Sequence, residues 1–330
     1  MAMETGVLLV NVGTPEDLSL RSVRRYLRAF LSDRRIIDRG GPLWWLILNG
    51  LIIPRRAKKS RHAYSLIWNE ERGESPLRTL TRAQAEKLQA AFSGEGGLVV
   101  DWAMRYGSPA IGEGIARLVA RGCGRILVFP LYPQYATATT ESVIDELNEA
   151  LAALPAPPPE VRIVPPYYDD PAYVGALAES IRRHRERLAW EPEVWLASFH
   201  GLPRAVIEAG DPYEAQCNIT VNLLRTALGL DARTMPLVYQ SRGRGGEWLG
   251  PELEPTLGRL AGEGVRDVAV ICPGFATDCI ETLEEVGLRA AGAFRQAGGR
   301  NFSLVPCLND SPDAIALLRW QVAKALAQNE

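Results

Sequence analysis

The chain has 330 residues, 47% hydrophobic and 23% charged, with 30 Gly and 23 Pro. At about 150 residues per domain this makes two folded domains, and it excludes a mini-protein, a fibrous chain or a disordered one. Its 37 Lys and Arg against 39 Asp and Glu leave a net charge of -2, so no overall positive field gathers nucleic acid and no nucleic-acid partner is expected.

The N-terminus, MAMETGVLLVNVGTPED, lacks a basic segment followed by an apolar core and a small-residue cleavage site, the pattern of an export signal. It runs instead into the first of a series of apolar, β-rich segments at 7–13, 98–107, 125–135, 161–168, 194–201, 235–241, 268–274 and 302–307, with stretches of helix length between them. Near-continuous apolar strands alternating with helices predict parallel sheets covered on both faces, an α/β fold. Between the first two strands, GGPLWWLILNGLIIP at 40–54 is interrupted by Asn49 and Gly50. It falls short of the ~20 apolar residues of a spanning helix, so it can touch a bilayer but not cross one. LPAPPPE at 154–160 holds four Pro in seven residues and predicts a connector. The expected domains are therefore 1–155 and 156–330, about four strands each, with a last helix at about 312–328 packing back on the first domain. Five scattered Cys, at 123, 217, 272, 279 and 307, suit a reducing cytoplasm better than a disulfide framework.

Several strands end in polar or aromatic clusters: NVGTP, MRYGSP, YPQYATATT, SFHGLP, YQSRGRG and CPGFATD. In open parallel sheets ligands bind beyond the carboxyl ends of the strands, so chemistry is sought there. Of the three His, His62 and His184 lie in basic stretches that read as solvated helix faces. His200 ends an apolar strand and precedes Gly201, Leu202 and Pro203, which places an imidazole, the side chain that trades protons or binds metals near neutrality, at a strand end. Further on, Asp278, Glu281 and Glu285 stand at i, i+3 and i+7, a spacing that puts three carboxylates on one face of an α-helix. Such a stripe is either an ordinary acidic first turn on a surface helix or, if partly buried, a proton relay or cation path. Neither a GxGxxG nor a GxxxxGK[ST] loop is present, so nucleotide chemistry has no support. Cys272 and Cys279 are seven apart, a poor spacing for an iron–sulfur cluster.

Taken together and in order, LLVNVGTP, VRRYLRAFLSD, WWLILNG, MRYGSP, YPQYATATT, SFHGLP, WLGP, CPGFATDCIETLEE and PCLNDS resemble segments of the ferrochelatase family over nearly the whole chain. The resemblance implies two Rossmann-like domains, parallel sheets flanked by helices, with an active-site cleft between them. It implies insertion of Fe(II) into protoporphyrin IX, with release of two protons, to give protohaem. By the same resemblance His200 is the catalytic base and a metal contact, Glu281 the carboxylate opposite it and a second metal contact, and Asp278 and Glu285 extend the acidic path. Arg56, Tyr64, Ser75, Arg105, Tyr106 and Trp248 become porphyrin contacts. Porphyrin and iron are then substrates rather than resident cofactors. The cluster-binding cysteines and C-terminal extension of some members are missing, so no iron–sulfur cluster and a monomer are expected. Trp44 and Trp45, followed by Arg55, Arg56, Lys58 and Lys59, fit a peripheral contact with the inner face of the cytoplasmic membrane. The alternatives are a tetrapyrrole-binding protein without catalysis and a related chelatase for another metal or porphyrin. The His200 and Glu281 pair argues for catalysis, and the apolar lip for an apolar porphyrin.

Overall fold

The computed structural model describes residues 4–94, 97–155, 157–243 and 245–327; position 156 of the expected connector and position 328 of the last helix lie outside them. The predicted strands all form: β1 (Glu4–Gly13), β2 (Leu98–Tyr106), β3 (Cys123–Pro130), β4 (Glu160–Ile163), β5 (Val194–His200), β6 (Leu237–Gln240), β7 (Asp267–Ile271) and β8 (Asn301–Leu304). They build two parallel sheets of four, ordered β2-β1-β3-β4 and β6-β5-β7-β8. The order relative to the chain is the same in both, so the halves share a topology that their residues do not advertise. β3 and β4 end earlier than the apolar runs suggest because Pro133, beyond the first, and Pro165 and Pro166, beyond the second, cannot donate to a ladder.

The first unit comprises the chain up to Leu131, Thr137–Pro165 and the chain from Asp310 onward; the second comprises Tyr132–Ala136 and Pro166–Asn309. The main division thus falls about ten residues beyond the expected 155/156 boundary, and Tyr132–Ala136 groups with the second unit. The final helix, Pro312–Ala327, packs on the helix Pro76–Ala91 of the first unit, with Lys87 donating to the Asp310 carboxylate at 2.5 Å.

Burial explains the elements. Val7 to Val10 at the centre of β1 and Val268 to Val270 in β7 are inaccessible to solvent, as strands covered on both faces must be. Helices begin where a side chain can take an orphan backbone N–H: Ser19 accepts from Ser22, Ser75 from Arg78, and Asp170 from Ala172. β1 ends at Gly13, φ 111°, where a Cβ would lie 1.8 Å from the Tyr106 carbonyl oxygen; only glycine lets the two strand ends pass so closely. His184 departs from its expected solvated face. It is half-buried at the end of Pro171–Glu186, its Nε2 lies 2.7 Å from Ser303 Oγ, and burial, then the nearby Arg187, lower its pKa.

Candidate active site

In the second sheet the order β6-β5-β7-β8 makes β5 and β7 the strands flanking the topological switch point, where consecutive crossovers leave in opposite directions. His200 is the last residue of β5, and the chain leaving β7 runs through Cys272 to Asp278 and into the acidic segment. The two motifs, eighty residues apart in sequence, are therefore brought to one sheet edge.

His200 is half-buried and its Nδ1 lies 2.7 Å from the Gly201 carbonyl oxygen. A carbonyl only accepts, so this contact places the proton on Nδ1 and leaves the Nε2 lone pair open. Gly201 keeps the turn tight: a Cβ there would meet the Gln240 carbonyl oxygen at 3.0 Å and the Trp248 ring at 3.6 Å. Trp248 is half-buried, donates Nε1–H to Gly245 at 3.0 Å, and covers Gly243 so closely that a Cβ there would stand 2.4 Å from the indole.

The acidic segment differs from the expected α-helix. Glu281–Ala290 winds as a π-helix, a form with i→i+5 hydrogen bonds, and Asp278 precedes it rather than sharing its face. Asp278 is 6% exposed. Its Oδ1 accepts from Thr282 Oγ1 at 3.0 Å and Cys307 N at 3.3 Å, and its Oδ2 accepts from Asn309 Nδ2 at 2.6 Å. At the other end Glu285 accepts from Ser241 N at 2.7 Å and Ser241 Oγ at 2.6 Å, and pairs with Arg289 at 3.0 Å. Glu281 lies between these two held carboxylates. Burial raises its pKa; the Cys279 thiol, its own backbone N–H and the nearby His200 pull it down, and Glu285 pushes it up, with a raised value as the result. The His200 imidazole is thus close enough to act on the Glu281 carboxyl. Gln240, paired with His200 across the β5–β6 ladder, donates Nε2–H to the Glu281 carbonyl oxygen at 2.7 Å and accepts from Ser198 Oγ at 2.8 Å.

The remaining expected contacts, Arg56, Tyr64, Ser75, Arg105 and Tyr106, lie in the first unit. Arg56 is exposed on the helix Ile53–Ser65, whereas Tyr64 on the same helix is 5% exposed, with edge-on contacts to Tyr26 and Trp68. Ser75 is 1% exposed and its hydroxyl is committed to capping Pro76–Ala91. Arg105 and Tyr106 are also engaged: both donate to Asp33 Oδ2, at 2.7 and 2.6 Å, and Ser142 Oγ reaches the same oxygen at 2.5 Å. Arg105 also pairs with Glu146 at 2.9 Å. Those donors hold the Asp33 carboxyl below the usual range although burial works against them. Asp33, Gln240, Ser241 and Asn309 were not singled out by sequence reasoning, since they belong to clusters whose partners only the fold identifies.

Among the described residues no three His, Cys, Asp or Glu side chains form a ready set of metal ligands, and no helix is long and apolar enough to cross a membrane.

Residues 4–326 match the family model for ferrochelatase. The ferrochelatase of Rhodopseudomonas palustris (strain BisB5) is 52% identical over 321 residues, 97% of this chain and 93% of that protein. That of Rhizobium meliloti (strain 1021) is 52% identical over 321 residues, again 97% of this chain and 94% of the relative. Among solved structures, SirB from Bacillus subtilis, determined with Fe3+, superposes with a TM-score of 0.56 at 12% identity, covering 98% of this chain and 95% of its own. At that identity the likeness speaks for the two-domain α/β fold alone.

Proposed function

Because this chain belongs to the ferrochelatase family, we infer that it inserts Fe(II) into protoporphyrin IX, releasing two protons and forming protohaem, and that His200 and Glu281 carry the proton traffic. Insertion requires loss of two pyrrole N–H protons, removal of water from Fe(II), and a macrocycle bent so that nitrogen lone pairs face the metal. The observation that carries the assignment is the contact of His200 Nδ1 with the Gly201 carbonyl oxygen, which leaves Nε2 as the lone-pair acceptor, with a carboxyl near it whose pKa burial raises. His200 takes a pyrrole proton and Glu281 is the next acceptor. The same two groups are the metal contacts, with Asp278 and Glu285 extending the acidic path on either side of Glu281. Arg56, whose guanidinium faces solvent, is suited to a propionate, and Trp248 offers an aromatic face. Tyr64, Ser75, Arg105 and Tyr106 are the remaining proposed porphyrin contacts. The direct test is anaerobic insertion of Fe(II), and of Zn(II) as a redox-inert stand-in, into protoporphyrin IX, followed by absorbance. Tight porphyrin binding without insertion of either metal would transfer the chain to the tetrapyrrole-binding reading.

No resident iron–sulfur cluster is proposed. Beyond the spacing of the cysteines, burial pushes the Cys217, Cys272, Cys279 and Cys307 thiols up, and a cluster needs thiolates. The purified protein should show no cluster absorption and should keep its activity on Cys→Ser substitution at 272 or 307; stoichiometric sulfide would overturn this.

We further propose that the chain works as a monomer in the cytoplasm and meets the membrane through its lip. Leu43, Trp45, Leu46 and Leu51 are 71%, 59%, 60% and 49% exposed, and Arg55, Arg56, Lys58 and Lys59 are exposed on the following helix. Apolar side chains beside a basic cluster suit an anionic interface. The two tryptophans divide the work: Trp45 points outward, whereas Trp44 packs against the cluster of Val23, Leu27, Leu48 and Ile53. Trp45→Ser should weaken binding to anionic vesicles and slow turnover of lipid-delivered porphyrin, sparing detergent-dispersed porphyrin. Trp44→Ser should instead lower stability, by about 1–3 kcal/mol for a partly buried indole. Equal loss under both delivery conditions in Trp45→Ser would assign that residue to porphyrin binding and end the membrane reading.

A further inference from the structure

Among the described residues, two that are not glycine have left-handed backbone, Ser241 at φ 63° and Asn309 at φ 52°. Each sends its side chain to a carboxylate of the acidic segment, Ser241 to Glu285 and Asn309 to Asp278. Left-handed backbone favours glycine, and where another residue occupies it the surrounding structure must hold it there. At position 309 the reason for a side chain is visible. Asn309 Oδ1 accepts the Asp278 backbone N–H at 2.8 Å while Nδ2 donates to Asp278 Oδ2 at 2.6 Å, so one amide reads both the backbone and the carboxylate of a single residue. The Asn309 N–H donates to the Ala276 carbonyl oxygen at 3.0 Å, which fixes the amide's approach. Asp278 then passes the constraint on through Oδ1 to Thr282 Oγ1 at 3.0 Å, and that hydroxyl accepts the Cys279 N–H at 3.0 Å. Ala276, Asp278 and Cys279 of the turn leading to Glu281 are each held by this chain of contacts.

We propose that Asn309 is a positioning residue for metal insertion: it holds Asp278 and Thr282, and through them it sets where the Glu281 carboxyl stands. The inference rests on the reading of Glu281 as a proton acceptor. Glycine at 309 suits the backbone and removes only the amide, so Asn309→Gly should stay folded with a Tm close to the parent. Its kcat should fall by about 10- to 100-fold, the cost of a misplacement up to 1 Å, with KM for porphyrin within about twofold because binding contacts are untouched. Asn309→Asp should lose kcat as well, since a second carboxylate oxygen then faces Asp278 Oδ2. Exchanging the pair, Asp278→Asn with Asn309→Asp, restores a donor against an acceptor and leaves an amide oxygen for Thr282 and Cys307, so the exchanged pair should turn over faster than either single variant, as double-mutant coupling predicts. A wild-type kcat in Asn309→Gly, or an exchanged pair no faster than the two single variants, would overturn the proposal. Glu281→Gln, measured alongside, separates the two ideas: if that variant turns over normally the reading of Glu281 fails, and if it is inactive while Asn309→Gly is normal only the inference about Asn309 fails.

Discussion

Replacing His200 with Ala should reduce metal insertion by about 100- to 10,000-fold, the usual worth of a positioned general base, while porphyrin still binds. The side chain is half-buried at a strand end, and the hydrogen bond to be lost runs only to the next residue, Gly201. β5 keeps its ladder bonds to β6 and β7, so the fold should survive and Tm should move little. Porphyrin affinity, read by fluorescence quenching, should stay within a few-fold because the proposed contacts Arg56 and Trp248 remain. Added imidazole should restore part of the rate if the missing function is a lone pair at Nε2. Undiminished turnover in His200→Ala would remove this residue from the mechanism. Loss of porphyrin binding in step with turnover would make it a binding residue instead.

Much of this arrangement is legible in the sequence, for reasons that also mark where legibility stops. Strands such as VLLVNVG and VWLASFH announce themselves because both sheet faces are covered and no Asp, Glu, Lys or Arg interrupts the run. The same logic places His200 correctly, since an apolar run ending in a polar side chain and a Gly-Leu-Pro turn can hardly be anything but a strand end. The acidic segment shows the limit. A spacing of i, i+3, i+7 states which residues would share an α-helical face, but not whether the backbone closes i→i+4 or i→i+5 bonds, and here Glu281–Ala290 takes the wider winding with Asp278 outside it. The carboxylates meet their partners, Ser241 and Asn309, across long loops; hydrogen bonds between residues 31 or 44 apart leave no local periodicity to read. Trp44 and Trp45 make the same point on the surface, where adjacent identical residues face opposite ways and only the packing of Val23, Leu27 and Ile53 tells them apart.

Glu281→Gln should abolish most turnover and, at neutral pH, stabilise the protein. The amide keeps the size of the carboxyl but neither takes a proton nor offsets the charge of Fe(II). The stability effect follows from the direction of the pKa shift. Burial, with the like charge of Glu285 behind it, raises the Glu281 pKa above the ordinary glutamate range even though Cys279 and His200 oppose the change. A carboxyl whose folded pKa lies above its unfolded one binds protons more readily when folded. At pH values above the folded pKa the native state therefore carries a charge it resists, and its stability is lower by that amount. The deficit shrinks as pH falls through the folded pKa and is gone below the unfolded value. Gln carries no such deficit. The difference in Tm between Glu281→Gln and the parent should accordingly be positive at pH 8, fall on acidification, and vanish near pH 4. Asp278→Asn and Glu285→Gln should show no such gain, because their carboxylates accept hydrogen bonds from Asn309, Thr282 and Ser241 that a carboxamide answers less well. A buried carboxyl that costs stability at neutral pH is what an active-site acid looks like. Equal and mild effects of all three substitutions on turnover would mean that these carboxylates serve the fold rather than the chemistry, and the assignment of Glu281 would fall.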